Sequence, residues 1–423
     1  MRTGFCAAAA SAVALTSASA ETIYLTADRM IDPISGRVIE GPALLIEDGK
    51  ITQRSTKAAM SVPADARTID LTGKTIMPGF IDMHVHLTGS ATKGRGWSGV
   101  GISQHRSLIW AVGHARDTLL AGFTTVRNTG SDGYSLVDLR DAINDGEVVG
   151  PRMFVAGPPV GIVGGHCSDN NLLPPEYEAS GKGVATGPWE MRAKVRQNIK
   201  YGVDLIKTCS TGGVFSKGTS LGAAQGTVEE LTAIVDEAHA RGLKVASHAH
   251  GIVGIKNAIR AGVDTIEHSS FLDDEAIRMA KRNGVTFVPD IYNTEYTLSE
   301  GEKLGVRQEA LDKERAVGTI QRESFTKAVK AGARVAFGTD AALFPHGDNA
   351  KQFSRMVEFG MTPMQAIQAA TNVAADALGK KGELGCLNAE CMADIVAVDG
   401  NPLADVTALE DVSFVMKSGE KIR

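Results

Sequence analysis

The sequence predicts an α/β fold in which a (β/α)8 (TIM) barrel is joined to a small β domain. Two observations predict this fold. Short apolar segments alternate with helical segments through the middle of the chain, and both chain ends consist of short strand-like segments separated by glycines. We predict the barrel over residues 78–377 and the β domain over residues 21–77 and 378–423. Each terminal piece is too small to bury a core alone, so the two pieces are expected to form one domain.

The strand-like segments of the β domain are short and are separated by turns. Gly73 is one of the glycines that separate them. The predicted strands are Ile23–Leu25, Ala43–Ile46, Lys50–Thr52, Thr68–Leu71 and Thr75–Met77 at the N-terminal end, and Met392–Val398 and Val412–Lys417 at the C-terminal end.

The middle of the chain repeats a pattern in which a helical segment ends in glycine and an apolar run follows at once. Glycine just past a helix adopts the left-handed conformation that ends it, so each of these glycines marks a helix-to-strand joint. They are Gly122, Gly202, Gly242, Gly262, Gly284 and Gly332. Helix starts agree, because Thr227 with Glu230 and Thr362 with Gln365 have the spacing of a capping box.

Eight apolar runs separated by helical segments point to a (β/α)8 barrel. The predicted strands are Phe80–His84, Thr124–Arg127, Arg152–Ala156, Val203–Lys207, Lys244–His248, Asp264–His268, Thr286–Pro289 and Arg334–Gly338. The alternative is an open doubly wound sheet, which normally has a glycine-rich phosphate-binding turn after its first strand. Here the first strand runs into a pair of histidines instead.

The composition excludes several classes of protein. The 423 residues carry 44 Lys+Arg against 49 Asp+Glu, a formal net charge of −5, which gives no general attraction for nucleic acid. Hydrophobic residues make up 43%, which excludes wholesale disorder. Residues 1–20 are apolar and Ala-rich and end in Ala18-Ser19-Ala20, as in a signal peptide. We therefore expect an exported protein, periplasmic or secreted, that does not insert into the membrane after processing.

Four cysteines remain beyond the predicted signal peptide, and none has the paired spacing of a structural zinc site. Export permits disulfides. Cys386 and Cys391 flank a short polar segment and either close a small loop or remain free thiols. Cys209 lies close to Lys207, but the sequence indicates no cysteine–histidine pair for thiol catalysis.

His84 and His86 end the first predicted barrel strand. Residues two apart on a strand face the same side, so both imidazoles can approach one metal ion. A single histidine here would more often be a hydrogen-bonded core residue, whereas two at this spacing favour metal binding. His248 with His250, His268 and Asp340 likewise end the fifth, sixth and eighth strands. Barrel active sites lie at these C-terminal strand ends, so the residues are expected to share one metal site.

Lys207 ends the fourth predicted strand with its side chain on the same face as the apolar Leu205. Burying an ammonium group is costly unless the group is paired or deprotonated. Taken alone, Lys207 would be a salt-bridge partner at the barrel rim. Beside a metal cluster, a modified lysine explains its position better.

These motifs together resemble the amidohydrolase superfamily, in its imidazolonepropionase-like and Xaa-Pro dipeptidase branch, which includes bacterial amidohydrolases that cleave ochratoxin. The resemblance covers residues 21–423, and its specificity comes from the order and spacing of the motifs. They are PGFIDMHVH at 78–86, VDLIK at 203–207, SHAHG at 247–251, DTIEHS at 264–269, GTDA at 338–341 and ADIVAVDGNPL at 393–403.

The resemblance implies a barrel with a β-sandwich built from both chain ends, and two zinc ions. One metal would be bound by His84, His86 and Asp340, the other by His248 and His268, with a carboxylated Lys207 bridging them. Asp340 would also be the catalytic group, moving a proton from the attacking water to the leaving amine.

Three further residues are candidate substrate contacts. His250 lies past the strand end, where relatives engage substrate, and Tyr292 follows the seventh strand. His166 lies in the long loop after the third strand, where an ordinary loop residue is an equally good interpretation.

The predicted function is hydrolysis of an amide bond to a C-terminal amino acid, with an Xaa-Pro dipeptide, an N-acyl amino acid or an ochratoxin A-like aryl amide as the small-molecule substrate. One alternative is cyclic-amide hydrolysis, although the apparent Lys207 ligand suits a dinuclear site better. The other alternative is a non-catalytic periplasmic binding protein, which predicts missing ligands, whereas all six ligand positions are present. The resemblance also suggests a homo-oligomer.

Overall fold

The computed structural model describes residues 21–94, 96–167 and 173–423. The predicted signal peptide, residues 1–20, lies outside this part. Among the described residues, no helix has both the length and the apolar character needed to cross a membrane.

Strands and helices follow the predicted alternation through the middle of the chain. The strands are β1 (Ile23–Asp32), β2 (Arg37–Glu40), β3 (Pro42–Glu47), β4 (Lys50–Thr56), β5 (Arg67–Pro78), β6 (Phe80–Val85), β7 (Phe123–Asn128), β8 (Arg152–Val155), β9 (Leu205–Cys209), β10 (Lys244–Ala249), β11 (Thr265–His268), β12 (Thr286–Val288), β13 (Ile395–Asp399), β14 (Val412–Lys417) and β15 (Glu420–Lys421).

The α-helices fall almost entirely between the strands of the middle region. They are α1 (Gln104–Leu120), α2 (Ser135–Asn144), α3 (Gly187–Lys200), α4 (Val228–His239), α5 (Ile252–Ala261), α6 (Asp274–Asn283), α7 (Asn293–Glu300), α8 (Gln308–Lys330), α9 (Lys351–Glu358), α10 (Pro363–Ala369) and α11 (Asn372–Ala377).

The helix signals in the sequence are confirmed. All six glycines predicted to end helices have positive φ, between 64° and 94°. Thr227 and Thr362 each accept a hydrogen bond from the backbone N–H three residues on, and Glu230 and Gln365 complete both capping boxes.

Both chain ends contribute to one eight-stranded mixed sheet, in the order β15-β14-β13-β5-β1-β3-β4 with β2 paired to β1. The two strands predicted on either side of Gly73 are one strand, β5. Gly73 takes φ of 84°, and a register shift in β1 between Ala27 and Arg29 keeps the parallel pairing on both sides of it. The two facing layers of a sandwich do not appear as separate sheets among the described residues, so the sandwich stays a prediction.

The middle of the chain forms two parallel sheets, β6-β7-β8 and β9-β10-β11-β12. Backbone hydrogen bonds link them between β8 and β9, where Asp204 N donates to Val155 O (2.8 Å) and Val160 N donates to Lys207 O (2.8 Å). Helices α3, α4, α5 and α6 pack against one another in chain order. A large apolar core lies between the helices and the parallel strands.

The predicted eighth strand, residues 334–338, has no ladder of its own. One parallel bridge joins Val335 to Phe287 of β12, and Met83 N of β6 donates to Phe337 O (2.9 Å). Phe337 N donates to Ala369 O (3.0 Å) instead of to a strand, which interrupts regular pairing with β6. The segment still lies between β12 and β6.

The predicted fourth strand begins two residues later than expected. Val203 N donates to Asn198 O at the end of α3, so Val203 closes the helix and β9 runs from Leu205 to Cys209. β9 also extends two residues beyond the predicted end at Lys207, so Cys209 lies in the strand on the same face as Lys207.

Candidate metal centre

The predicted ligands lie together in a cavity of about 440 Å³ at the C-terminal ends of the parallel strands. Four of them lie on β6, β9, β10 and β11, and two follow β6 and segment 334–338. They are His84, His86, Lys207, His248, His268 and Asp340. The parallel arrangement brings together residues that are far apart in the sequence, because all the strands end at the same edge.

One cluster of donor atoms surrounds the Asp340 carboxylate. Oδ1 of Asp340 lies 3.5 Å from Nε2 of both His84 and His86, and the two Nε2 atoms are 3.3 Å apart. His268 joins this group, since one donor atom each from His84, His268 and Asp340 lie within 4.8 Å of one another. Imidazole nitrogens and a carboxylate oxygen at this spacing are ligands suited to a divalent transition metal.

A second cluster is formed by His248, His250 and His268, whose donor atoms also lie within 4.8 Å of one another. His268 therefore belongs to both clusters. The structure places His250, predicted as a substrate contact, among possible ligands, although its Nδ1 is 2.7 Å from Ser270 Oγ.

Two buried carboxylates, neither of them among the predicted site residues, orient these histidines. Glu267 Oε2 lies 3.0 Å from His84 Nδ1, and its Oε1 accepts from Arg127 Nη2 (2.7 Å). Asp290 Oδ1 lies 2.9 Å from His268 Nδ1. Carboxylates bonded to the second ring nitrogen of a metal-binding histidine fix its tautomer and orientation. The only sequence signal was position: Glu267 precedes His268, and Asp290 follows the seventh predicted strand.

Burial dominates the electrostatics of the cavity. It lowers the pKa of His84, His248 and His250 well below the usual value, which keeps these imidazoles neutral as metal binding requires. His268 is the exception, because the adjacent Asp290 carboxylate outweighs burial and raises its pKa.

Burial also shifts the pKa values of the two charged residues predicted as ligands. It lowers the pKa of the Lys207 ammonium group to about 8, against the attraction of Glu267 and Asp340. It raises the pKa of the Asp340 carboxyl, against the attraction of His86 and His268. Lys207 is thus much easier to deprotonate than an exposed lysine, and Asp340 is a better proton acceptor than an exposed aspartate.

The other predicted substrate contacts differ in position. His166 lines the cavity, with its ring centroid 4.1 Å from that of His248. Tyr292 is buried beside the cavity and does not line it; its ring packs on Phe344 at 4.9 Å. Helix α7 begins at the next residue, so the cavity wall here is formed by Asn293.

Both cysteine pairs form disulfides. The small loop predicted between Cys386 and Cys391 is confirmed as one of the two alternatives. The second bond, between Cys167 and Cys209, joins residues 42 positions apart and was not anticipated. Both of its cysteines line the cavity.

The amidohydrolase family model matches residues 75–422, which include both histidine clusters and, of the mixed sheet, the end of β5 and strands β13, β14 and β15. The chain belongs to the amidohydrolase family. It is therefore a hydrolase that acts on carbon–nitrogen bonds.

Individual amidohydrolases are similar over nearly the whole chain. Ochratoxinase from Aspergillus niger is 31% identical, covering 92% of this chain and 85% of the relative. Imidazolonepropionase from Chromobacterium violaceum is 26% identical, covering 87% of this chain and 88% of the relative. The crystal structure of a Xaa-Pro dipeptidase with methionine bound in its active site has a TM-score of 0.88 at 37% identity, covering 95% of this chain and all of that one.

Proposed function

We propose that this amidohydrolase is a dinuclear zinc enzyme that hydrolyses the amide bond between an acyl group and a C-terminal amino acid. One observation carries the proposal. Two clusters of donor atoms share His268, and Lys207 and Asp340 lie in the same cavity.

The donor set fits zinc, which binds imidazole nitrogen and carboxylate oxygen. His84, His86 and Asp340 would hold one ion, and His248 and His268 the other. Lys207 would bridge them as a carbamate, since a neutral amine is required to take up carbon dioxide and the pKa of Lys207 is lowered to about 8. When bound, the metal pair supplies polarisation of the substrate carbonyl and a lowered pKa for the attacking water.

The residues of the chain supply proton transfer and substrate contact. Asp340 accepts the proton of the attacking water and passes it to the leaving amine, which its raised pKa favours. His250 and His166 contact the substrate from the cavity wall. Tyr292 would contact the substrate only if the substrate displaced its ring from Phe344.

The cavity and the relatives support the proposed substrate class. A cavity of about 440 Å³ accommodates a dipeptide or a compact aryl amide. One relative is named for ochratoxin, and another holds a free amino acid in its active site. We therefore propose an Xaa-Pro dipeptide, an N-acyl amino acid or an ochratoxin A-like amide as substrate.

We also propose that the two parallel sheets and segment 334–338 close into a (β/α)8 barrel over residues 78–377. The hydrogen bonds between β8 and β9, and those from segment 334–338 to β12 and β6, support this proposal. We also propose the β-sandwich, the homo-oligomer and export directed by residues 1–20. Gel filtration of the secreted protein and sequencing of its N-terminus would test the last two.

A substrate panel tests the function. Purified, zinc-loaded protein should hydrolyse at least one of an Xaa-Pro dipeptide, an N-acyl amino acid and ochratoxin A, and chelation should abolish the activity until zinc is restored. Turnover of a cyclic amide alone would favour the alternative of cyclic-amide hydrolysis. The 26% identity to imidazolonepropionase supports this alternative. Full activity in metal-free protein would contradict the proposal.

The Lys207 bridge is tested by metal analysis. Lys207→Ala should lose most of the dinuclear occupancy, and short carboxylic acids should restore part of it by filling the vacated space. Two tightly bound ions in the variant, without any added acid, would show that Lys207 does not bridge them.

A further inference from the structure

The Cys167–Cys209 disulfide lies in the wall of the proposed substrate cavity. Cys209 is the last residue of β9 and lies on the same strand face as Lys207. Cys167 directly follows His166 in the loop after β8. The bond therefore ties the segment that carries His166 to the strand that carries Lys207.

His166 is otherwise held by contacts to the loop after β9. Its backbone N–H donates to Gln225 Oε1 (2.7 Å), and its Nδ1 lies 2.9 Å from Ser216 Oγ. A side chain at Gly213 would overlap the His166 ring, so the ring sits directly on this backbone. The position of the ring thus depends on how the segment around it is held against β9.

The residues before His166 form backbone hydrogen bonds but bury little apolar surface. Gly161 N donates to Gly183 O (3.2 Å), Ala185 N donates to Gly161 O (2.9 Å) and Gly165 N donates to Ile162 O (3.1 Å). Residues 162–164 are half-buried or exposed, and Val163 is 69% exposed. Segments with few buried apolar contacts open at low free-energy cost. A covalent bond one residue from His166 limits this opening, because it fixes the end of the segment at β9.

We propose that the Cys167–Cys209 disulfide positions His166 in the substrate cavity, so that reducing this bond weakens substrate binding. The inference rests on the proposed function. Reduction by a trialkylphosphine breaks the S–S bond and gives two thiols, while the phosphine is oxidised to its oxide with oxygen from water. The bond is open to such a reagent, since Cys167 is only half-buried.

The second disulfide is a matched control. Cys386 and Cys391 are each 2% exposed and pack in the core of the mixed sheet, and neither lines the cavity. Cys386→Ala/Cys391→Ala therefore removes a disulfide without touching the cavity.

Kinetics with measured metal content test the proposal. Cys167→Ala/Cys209→Ala should raise KM about tenfold with both metals retained, and the control pair should leave KM unchanged. If the bond acts through His166, adding His166→Ala should cause little further loss, because the two changes remove the same interaction. An unchanged KM in Cys167→Ala/Cys209→Ala would overturn the proposal. It would also be overturned if the KM increase of the combined variant equalled the product of the increases caused separately by the cysteine pair and by His166→Ala.

A chemical readout tests it without any activity. Diethyl pyrocarbonate modification, mapped by mass spectrometry, should be slow at His166 in the oxidised protein and several-fold faster after phosphine reduction or in Cys167→Ala/Cys209→Ala. Equal rates in both states would overturn the proposal whatever the substrate is. Faster modification without hydrolysis of any amide would support the positioning role and count against the proposed function alone.

Discussion

His268 and Asp340 extend their side chains into the cavity from a left-handed backbone, with φ of 66° and 57°. Residues other than glycine adopt this conformation at a cost of about 1–3 kcal/mol, and only where the surroundings enforce it. At Asp340 the enforcement is visible, because its backbone N–H donates to His84 O (2.8 Å). β6, which carries His84 and is followed by His86, therefore helps to hold the backbone from which the Asp340 carboxylate extends.

Asp340→Asn separates proton transfer from binding. The amide keeps the size and one oxygen of the carboxylate but cannot accept a proton, so kcat should fall about 10²–10⁴-fold while substrate binding persists. Steady-state kinetics with measured metal content provide the check. Near-wild-type kcat in metal-replete protein would exclude Asp340 as the proton carrier.

His250→Ala is the contrast: it should mainly raise KM, and an unchanged KM would leave His250 without a substrate role.

Glu314 on α8 lies at the cavity wall. The contribution of its carboxyl group to the free energy of unfolding depends on pH. Burial, reinforced by Asp290, raises its pKa to about 7, although Thr294 Oγ1 donates to it at 2.5 Å. A raised pKa means that the folded state binds this proton more tightly than the unfolded state. The stabilisation is thus complete below about pH 4.5 and is lost as pH rises through about 7.

Glu314→Gln should therefore gain stability relative to wild type as pH rises. Between pH 5 and pH 8 the gain should be about 2–3 kcal/mol, because the amide carries no charge to bury. Urea unfolding of the metal-free proteins at both pH values measures it. Glu323→Gln, at an exposed position of the same helix, is the control. A difference from wild type that is the same at both pH values would contradict the raised pKa.

At the scale of single elements, α4 shows how a local signal fixes a helix start. Thr227 Oγ1 accepts from Glu230 N (3.2 Å), and Glu230 Oε2 accepts from Thr227 N (2.8 Å). Glu230 Oε1 also accepts from Gly187 N at the first residue of α3 (2.9 Å). The capping box therefore starts α4 and also joins it to the neighbouring helix α3.

Thr227→Ala should destabilise the protein by about 1 kcal/mol, since it leaves the Glu230 N–H without its partner. Thr227→Ser keeps the hydroxyl and should stay close to wild type. Chemical unfolding measures both variants, and kcat should not change in either, because the cap is remote from the cavity lining. Equal stability of the Ala and Ser variants would show that this hydrogen bond contributes nothing.

At the scale of the whole molecule, a mostly buried ion pair joins the parallel strands to the mixed sheet. Arg152 Nη1 on β8 lies 2.5 Å from Asp394 Oδ2, and the other oxygen of Asp394 accepts from Ser418 N (2.8 Å). Arg152 Nη2 also donates to Ser418 Oγ (2.9 Å). Residues from the middle and from the C-terminal end of the chain thus meet at one guanidinium group.

Asp394→Ala should cost about 3 kcal/mol of unfolding free energy, because it leaves the Arg152 charge without its partner in a mostly buried position. Asp399→Ala is the matched control. Its ion pair with Lys74 is largely solvated, with the carboxylate 75% exposed, and should contribute less than about 1 kcal/mol. Equal losses of unfolding free energy in the two variants would show that the Arg152–Asp394 ion pair does not stabilise the contact between the parallel strands and the mixed sheet.

The sequence by itself determined the features that depend on local rules. Glycine and capping patterns located the helix ends, and period-two spacing put His84 and His86 on one strand face, because these signals act within a few residues. The carboxylates that orient the histidines came only from the tertiary structure, since His84 and Glu267 are 183 positions apart. The same holds for the Cys167–Cys209 bond. Sheet order and loop packing decide such pairings, and no local pattern in the chain records which distant side chains will meet.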